Sequence, residues 1–316
     1  MAERSAATEA FLAAHGFAGA VRRRLAGDAS ARRYERIAGP RPAILMDCPP
    51  ERLDVAPFLH VQAALARLGL SVPEVLAADR AHGLVLLEDL GDQSFSRLLA
   101  AGGDQHGLYA AAVDLLVDLQ REAPTEGLPP YDDARLMAEL EVFLGHAVPG
   151  LAADAADAFR SLWKALLPAS RTGPEAFVYV DYHADNLQWL GEREGRARIG
   201  LLDFQDARVG PPAYDLVSLL EDARRDVPPD LAAAMIERYL GRRPELDPAR
   251  FAAAYAILGA QRNSKILGLF RRLAVEDGKR RYLDLLPRVE AHLRRDLAHP
   301  ALAPLRPWYR THLFGD

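Results

Sequence analysis

The sequence contains a single cysteine and no long hydrophobic run. Cys48 is the one cysteine among 316 residues, so no disulfide forms within the chain, which is typical of a reducing compartment. No apolar run approaches the roughly 20 residues that cross a bilayer, and the first residues lack the apolar core of a signal peptide. These absences predict a cytoplasmic protein that does not insert into a membrane.

The charge balance argues against nucleic acid as a partner. The chain has three lysines against 36 arginines, and its net charge is -5. A nucleic-acid binder would usually be basic, so nucleic acid is not expected as a partner. Half of the residues are hydrophobic, which is enough to bury the core of one large domain or of two lobes. Nothing in the sequence indicates an obligate protein partner.

Strand-like runs dominate the first 88 residues. A short helix is predicted over 6–15, and residues 56–69 repeat apolar side chains with a helical period. The runs predicted as strands are 20–26, 32–38, 42–47, 75–78 and 84–87. This pattern predicts a five-stranded sheet with one large helix.

Helical patterns dominate the rest of the chain. They are predicted over 94–100, 107–121, 132–145, 152–168, 213–223, 230–240, 247–275 and 279–297, with strands at 177–180 and 198–202. A sheet-rich part followed by a helix-rich part predicts an α+β fold with two segregated lobes, 1–88 and 89–316. The join near 88–91 is expected to be a hinge beside a ligand cleft.

One motif has the spacing of a kinase catalytic loop. Asp181 follows a strand-like run, and Asn186 comes five residues later. In such a loop the carboxylate accepts a proton from the attacking hydroxyl, while the amide oxygen binds Mg²⁺ beside the ATP phosphates. Because Asp and Asn also favour solvated loops, the motif alone leaves that alternative open.

A second acid strengthens the interpretation. Asp203 ends the apolar run at 198–202, where a carboxylate can bridge the metal and the β- and γ-phosphates. Asp206 is a rival ligand, and an ordinary strand-ending aspartate is the alternative. Further along, Asp215 lies near a predicted helix start, which suggests that it caps the helix or braces a loop.

Three blocks in order resemble the aminoglycoside phosphotransferase family of protein-kinase-like enzymes. They are V-D-Y-H-A-D-N-L at 180–187, L-L-D-F-Q-D-A at 201–207 and G-P-P-A-Y-D-L at 210–216. The resemblance implies a two-lobe fold in which a small antiparallel sheet lobe, 1–88, binds ATP. It also implies a larger helical lobe, 89–316, with the catalytic loop and the acceptor site. ATP and Mg²⁺ are the implied cofactors, Asp181 the catalytic base, and Asn186 and Asp203 the metal ligands.

The resemblance also implies where ATP binds. The phosphate loop falls on 27–34, where the backbone of Gly27, Ala29 and Ser30 would approach phosphate oxygens, although a plain hairpin turn fits the same residues. At the hinge, the main chain of Glu88 and Leu90 would bind adenine.

Two residues depart from the family pattern. Tyr179 stands where the family usually has histidine, and the third strand lacks the lysine that pairs with ATP phosphates. Arg32 and Arg33 are the nearest cations, and arginine suits bidentate phosphate contacts. An exposed strand face is the alternative for both arginines.

Within the family, four stretches resemble the anomeric amino-sugar kinases of bacterial cell-wall recycling. They are 27–34, 202–207, 214–226 and 261–268. These kinases phosphorylate N-acetylmuramate and N-acetylglucosamine at the C1 hydroxyl and also lack the strand lysine. The expected partner is therefore a small amino sugar, and the expected product is a sugar 1-phosphate.

Candidate acceptor residues come from two parts of the sequence. Helical spacing places Arg262 and Lys265 on one face, where they either bind the lactyl carboxylate of N-acetylmuramate or pair with acids such as Glu221. Asn263 offers an amide to sugar hydroxyls. The complete predicted set is Asp181, His183, Asp185, Glu221, Arg262, Asn263 and Lys265.

Two alternatives remain open at this point. An aminoglycoside kinase would need an acidic acceptor site, which Asp185, Glu221, Asp222 and Asp226 would supply and which Arg262 would oppose. Choline and homoserine kinases share the same fold. A nucleotide-binding pseudokinase that acts as an interaction module is suggested by the missing lysine, although the motif residues of a working enzyme are all present.

Overall fold

The computed structural model describes residues 2–25, 32–39 and 41–315. Its strands are β1 (Val21–Arg24), β2 (Arg33–Ala38), β3 (Ala43–Asp47), β4 (Val75–Asp79), β5 (Leu84–Glu88), β6 (Ala176–Val178), β7 (Leu187–Trp189), β8 (Ile199–Leu201) and β9 (Arg208–Gly210). Its helices are α1 (Ala2–Ala14), α2 (Ala56–Arg67), α3 (Phe95–Ala100), α4 (Gln105–Glu122), α5 (Asp133–His146), α6 (Ala153–Leu166), α7 (Ala213–Leu220), α8 (Pro229–Gly241), α9 (Pro248–Val275), α10 (Leu286–Leu297) and α11 (Arg306–Tyr309).

The chain forms two compact units. Unit 1 comprises Met1–Ala101 and Asp185–Asp206, and unit 2 comprises Gly102–Ala184 and Ala207–Asp316. This division differs from the one expected after residue 88. The segment 185–206 packs with unit 1 because Leu201 N–H donates to the Ser71 carbonyl at 2.8 Å and Trp189 N–H donates to the Gln93 carbonyl at 2.7 Å.

Unit 1 is built on the predicted five-stranded antiparallel sheet, whose order is β1-β2-β3-β5-β4. Alternate residues of its strands share a face, and on one face they form an apolar core with α1. That core contains Phe11, Leu12, Phe17, Ile37, Ala43, Leu45, Leu84 and Leu86. The predicted α+β class is confirmed.

Unit 2 is organised around α9. This helix of 28 residues packs against α5, α7 and α10. Gly268 allows the closest approach, because a Cβ there would lie 2.4 Å from the Val142 carbonyl oxygen. The helix predicted over 279–297 is divided in two. Arg280–Leu285 form a 3₁₀-helix, and the α-helix begins at Leu286, since Pro287 lacks the N–H that an earlier α-helical start would require and fits the first turn. Within the described ranges, no helix has the length and apolar character needed to cross a membrane.

A buried pair of carboxyl groups joins α7, α9 and α10. Asn263 Nδ2 donates to Glu221 at 2.7 Å and to Asp296 at 2.9 Å, and all three side chains are almost fully buried. Burial and the nearby charge of Glu221 raise the pKa of Asp296 well above its usual value. The folded protein therefore retains a proton at this pair that the unfolded chain releases above about pH 4.

This pair makes stability depend on pH. Because the raised pKa of Asp296 means that the native state binds the extra proton, its contribution to stability falls as the pH rises above about 4. Asn needs no proton, so the free energy of unfolding of Asp296→Asn should improve relative to the natural chain by up to about 1.4 kcal/mol per pH unit between pH 5 and 7. Urea unfolding at several pH values measures the difference.

Asp226→Asn is the matched control for this experiment. Asp226 is exposed and its pKa is lowered by a hydrogen bond from Arg288, so it is ionised across pH 5–7 in both the folded and the unfolded states. The difference in the free energy of unfolding between Asp226→Asn and the natural chain should stay constant from pH 5 to 7. A constant difference for Asp296→Asn as well would contradict the shared proton.

Candidate functional site

The loop that carries Asp181 follows β6 in unit 2 and is strained. Val180 has φ of 78°, a left-handed conformation that is unfavourable for a β-branched residue. Asp215 on α7 compensates by accepting hydrogen bonds from the backbone N–H groups of Tyr179 at 2.6 Å and Val180 at 2.8 Å. Asp215 therefore braces the loop and does not cap a helix. Its burial and these contacts fix the backbone that leads into Asp181.

Burial is also the main influence on the pKa of the Asp215 carboxyl group. It raises the pKa of Asp215 to about 7, the two backbone N–H groups lower the pKa, and the neighbouring charge of Asp181 raises it again. On the other side of the loop, Tyr182 donates its hydroxyl to the Ala112 carbonyl at 2.7 Å. Asp181 itself is half-buried, and its carbonyl accepts from the His183 N–H at 3.1 Å.

Lys265 supplies a positive charge to the same unit. Its ammonium lies 3.1 Å from Glu139, a buried carboxylate that also accepts from the Tyr131 hydroxyl at 2.9 Å. Burial lowers the pKa of Lys265, but Tyr214, Glu139 and Asp181 raise it above the ordinary value overall. Lys265 therefore remains protonated within electrostatic range of Asp181.

The other predicted acceptor residues of α9 are also buried in unit 2. Arg262 is 5% exposed, and its Nη2 donates to Ser218 Oγ at 2.9 Å. Asn263 and Glu221 share the hydrogen bond described above, which favours a bracing role over contact with a sugar. Lys265 and Arg262 thus contact Glu139 and Ser218 in place of the expected acids.

Asn186 and Asp203 lie together in unit 1. β7 and β8 pair antiparallel, and just beyond this pairing the Leu202 N–H donates to the Asn186 carbonyl at 3.0 Å. The next residue, Asp203, has φ of 63° and accepts from Gln205 Nε2 at 2.7 Å. Gln205 also donates to Asp206 at 3.1 Å. An amide oxygen and a carboxylate at adjacent positions are hard oxygen ligands of the kind that Mg²⁺ prefers.

The division between the units falls inside the catalytic-loop motif. Asp181 and His183 belong to unit 2, whereas Asp185 and Asn186 belong to unit 1, where Asp185 is exposed. Asp203 is anchored through its neighbour Phe204, which stacks on Phe58 of α2 with ring centroids 5.0 Å apart. The structure therefore brings Asn186 and Asp203 together in one unit.

The predicted hinge residues also lie in unit 1. Glu88 N–H donates to the Glu74 carbonyl at 2.9 Å, and its side chain pairs with Arg193 at 2.6 Å. Only the carbonyl of Glu88 therefore fits the predicted contact with adenine. Leu90 would supply the N–H, and its side chain lies against Gly200 of β8.

The predicted phosphate loop lies only partly within the described residues. Gly27, Ala29 and Ser30 lie outside them, whereas Arg32 and Arg33 are described. Alternation along β2 places Arg32 with Tyr34 and places Arg33 on the opposite, exposed side. Burial raises the pKa of Tyr34, with Asp203 raising it further and Arg32 lowering it, so both charges lie within electrostatic range of Tyr34.

Sequence reasoning missed Glu139 and Tyr131. Glu139 is an acid on the buried face of α5, beside Leu136, Leu140 and Phe143. An acid among apolar residues at helical spacing is the signal that could have drawn attention to it, because a buried carboxylate requires a partner.

The fold defines the class of protein. A choline/ethanolamine kinase family protein from Mesorhizobium loti matches with a TM-score of 0.65 at 19% identity, covering 98% of this chain and 99% of that chain. The GDP complex of wild-type aminoglycoside 2'-phosphotransferase-IIIa matches with a TM-score of 0.64 at 16% identity, covering 91% and 98%. These likenesses confirm the protein-kinase-like two-lobe fold.

The chain belongs to the phosphotransferase enzyme family, whose sequence profile matches residues 21–253. The predicted enzyme class, a nucleotide-dependent phosphotransferase with an alcohol group as acceptor, is confirmed. A Caulobacter vibrioides protein named N-acetylmuramate/N-acetylglucosamine kinase is 41% identical, covering 98% of this chain and 97% of its own length. A Pseudomonas aeruginosa protein of the same name is 35% identical, covering 88% and 84%.

Proposed function

We propose that this enzyme uses ATP and Mg²⁺ to phosphorylate the C1 hydroxyl of N-acetylmuramate and N-acetylglucosamine in peptidoglycan recycling. The likeness over nearly the full length to a relative named for these two sugars carries this choice. The predicted small amino-sugar partner follows from the same likeness.

The charges of unit 2 support this acceptor class. Lys265 and Arg262 are buried cations in the unit that holds Asp181, and Lys265 lies within electrostatic range of that carboxylate. A polycationic aminoglycoside would meet repulsion there, whereas a neutral sugar would not and the carboxylate of N-acetylmuramate would be attracted. Arg262 and Lys265 are accordingly the residues proposed to attract the lactyl carboxylate.

Asp181 is the proposed catalytic base. It orients the C1 hydroxyl and accepts its proton as the bond from O1 to the γ-phosphorus forms. The bond from that phosphorus to the β–γ bridging oxygen breaks, and ADP leaves. An anomeric hydroxyl is more acidic than an ordinary alcohol, so a weak base suffices. His183 and Asp185 lie on the same loop as Asp181 and are proposed to contact the acceptor sugar.

Unit 1 supplies the proposed nucleotide contacts. Asn186 and Asp203 fit Mg²⁺ by their oxygen chemistry and adjacency, and the ion would neutralise charge on the β- and γ-phosphates. Arg32 is proposed to take the place of the missing strand lysine, because Arg32 and the Asp203 carboxylate both lie within electrostatic range of Tyr34. The Glu88 carbonyl and the Leu90 N–H are the proposed adenine contacts.

An acceptor panel tests the proposed function. ADP release should be substantial with N-acetylmuramate and N-acetylglucosamine, slower with glucose and absent with kanamycin. The Asp181→Asn variant supplies the background rate for each acceptor. Turnover of kanamycin without turnover of either amino sugar would overturn the proposal.

A further inference from the structure

Several buried polar atoms of unit 2 have no hydrogen-bond partner among the residues that the structure describes. They include the Tyr109 hydroxyl, Asp222 Oδ2 and Arg262 Nη1. Tyr109 and Asp222 are 1% exposed, and Arg262 is 5% exposed. Because a buried unpaired polar group is costly, native proteins keep few of them, and each one requires a physical reason. A polar ligand that contacts all three would supply that reason.

Helix α7 connects these atoms to the Asp181 loop. Asp215 and Ser218 are spaced i, i+3, which places them on one side of α7, and Asp222 follows two residues after the helix ends at Leu220. Asp215 braces the loop and Ser218 accepts from Arg262, while Asp222 uses only Oδ1, which accepts from the Arg224 N–H at 2.9 Å. At a rise of about 1.5 Å per residue, Asp215 lies about 7.5 Å from the end of α7 at Leu220, and Asp222 lies beyond that end, a span comparable to the length of one substituted sugar.

Helix α4 also connects the Asp181 loop to one of these atoms, the Tyr109 hydroxyl. The Ala112 carbonyl accepts from Tyr182, which adjoins Asp181, and Tyr109 lies on the same side of α4 three residues earlier. Burial raises the pKa of Tyr109, and the charge of Asp222 raises it further, so the carboxylate lies within electrostatic range of the hydroxyl; α4 also packs against α7, which Asp222 follows. Two helices that hold the catalytic loop therefore converge on one pair of unsatisfied groups.

The hydrogen-bonding chemistry of Tyr109 and Asp222 indicates which substituent of the acceptor sugar they would bind. The Asp222 Oδ2 atom offers a hydrogen-bond acceptor, whereas the Tyr109 hydroxyl can donate a hydrogen bond. An acetamido group presents one N–H donor and one carbonyl acceptor, which matches this pair. Arg262 Nη1 only donates, which matches a carboxylate. N-acetylglucosamine and N-acetylmuramate share the acetamido group, and only the second carries the carboxylate.

We propose that Tyr109 and Asp222 bind the acetamido group of the acceptor sugar, with Asp222 accepting from its N–H and Tyr109 donating to its carbonyl. This assignment rests on the proposed function. It adds two specificity-determining residues that lie outside the three family motif blocks. It also explains how a site near Asp181 would discriminate an N-acetylated sugar from glucose.

Steady-state kinetics of Tyr109→Phe and Asp222→Asn test the assignment. For N-acetylglucosamine, kcat/KM should fall about tenfold in Tyr109→Phe and about 10- to 100-fold in Asp222→Asn, mostly through KM. For glucose, which has no acetamido group, kcat/KM should change by less than about threefold. The ratio of kcat/KM for N-acetylglucosamine to that for glucose should therefore fall. If glucose turnover is too slow to measure, the KM for N-acetylglucosamine decides.

Two variants of unit 2 serve as controls. The Tyr239 hydroxyl is buried but satisfied by Gln120 at 2.5 Å, so Tyr239→Phe should lower Tm and leave the ratio of the two sugars unchanged. Tyr109→Phe should leave Tm unchanged and lower the ratio of N-acetylglucosamine to glucose turnover, because its hydroxyl has no partner to lose within the described part of the chain. Asp226→Asn, at an exposed acid near Asp222, controls for charge alone.

The outcomes separate the two proposals. If the natural enzyme phosphorylates neither amino sugar, the proposed function fails. If it phosphorylates both, but Tyr109→Phe and Asp222→Asn retain the natural KM and the natural ratio of N-acetylglucosamine to glucose, the assignment of this subsite is overturned.

Discussion

Asp181→Asn should lower kcat for N-acetylglucosamine at least about a hundredfold and leave the affinity for nucleotide within about threefold. The amide has nearly the same shape but cannot accept the proton of the C1 hydroxyl, so the loss should appear in the chemical step. Lys265, whose pKa is raised in part by the Asp181 charge, should be little affected because Glu139 continues to bind it. ADP release and nucleotide titration measure the two quantities.

Asp157→Asn is the matched control for this variant. Asp157 is a carboxylate of unit 2 whose side chain is 75% exposed, and its contact with Arg160 is a surface ion pair. Its replacement should leave kcat unchanged. If Asp181→Asn also retained the natural rate, Asp181 would not be the base, and a pseudokinase that binds nucleotide would become the better description.

Asp215→Ala should reduce both stability and activity, because it removes the brace of a strained loop. Two buried backbone N–H groups, those of Tyr179 and Val180, would lose their acceptor, at about 1–3 kcal/mol each. We therefore expect the free energy of unfolding to fall by about 2–5 kcal/mol. Val180 would also be released from its left-handed conformation, so the position of Asp181 would relax and kcat of the folded fraction would fall about tenfold or more.

Two further variants make this result specific. Asp215→Asn retains one acceptor oxygen, so it should fall between the natural chain and Asp215→Ala in both measurements. Asp114→Ala removes a partly exposed carboxylate that pairs with Arg238 and Arg242, so its effect on stability should stay below about 1 kcal/mol. Denaturant unfolding and single-turnover rates at low temperature give the two quantities. A stable, fully active Asp215→Ala would show that the loop holds its shape without this carboxylate.

The sequence predicted most elements of the fold because their signals are local. Strands β1 to β5 and the helical period of α2 appear as alternation and spacing within short windows, and the structure has them within a few residues. Strands β7 and β9 were missed because each is only three residues long and includes a polar side chain, so neither forms an apolar run like those of β6 and β8. The division of the chain was also missed, since the pairing of segment 185–206 with unit 1 joins residues that are far apart in sequence.

The roles assigned to the motif residues remain predictions, and the sequence limited them in an identifiable way. It identified Asp181, Asn186 and Asp203 by spacing, and it identified Arg262 and Lys265 as cations on an apolar face. It did not identify their partners, because Glu139 and Ser218 come from other helices. For Asn263 and Glu221 the mutual hydrogen bond in the structure favours bracing over the expected sugar contact.

The sequence by itself determined the family and the two-lobe class, and it led to the predicted residues of phosphoryl transfer, because each follows from residue types at short fixed spacings. Only the tertiary structure decided that Asp215 braces a strained loop and that Tyr109, Asp222 and Arg262 have polar atoms without a hydrogen-bond partner among the described residues. Burial and hydrogen bonding depend on how helices distant in the chain pack together. No local pattern of residues specifies which groups such packing satisfies and which it leaves for a ligand.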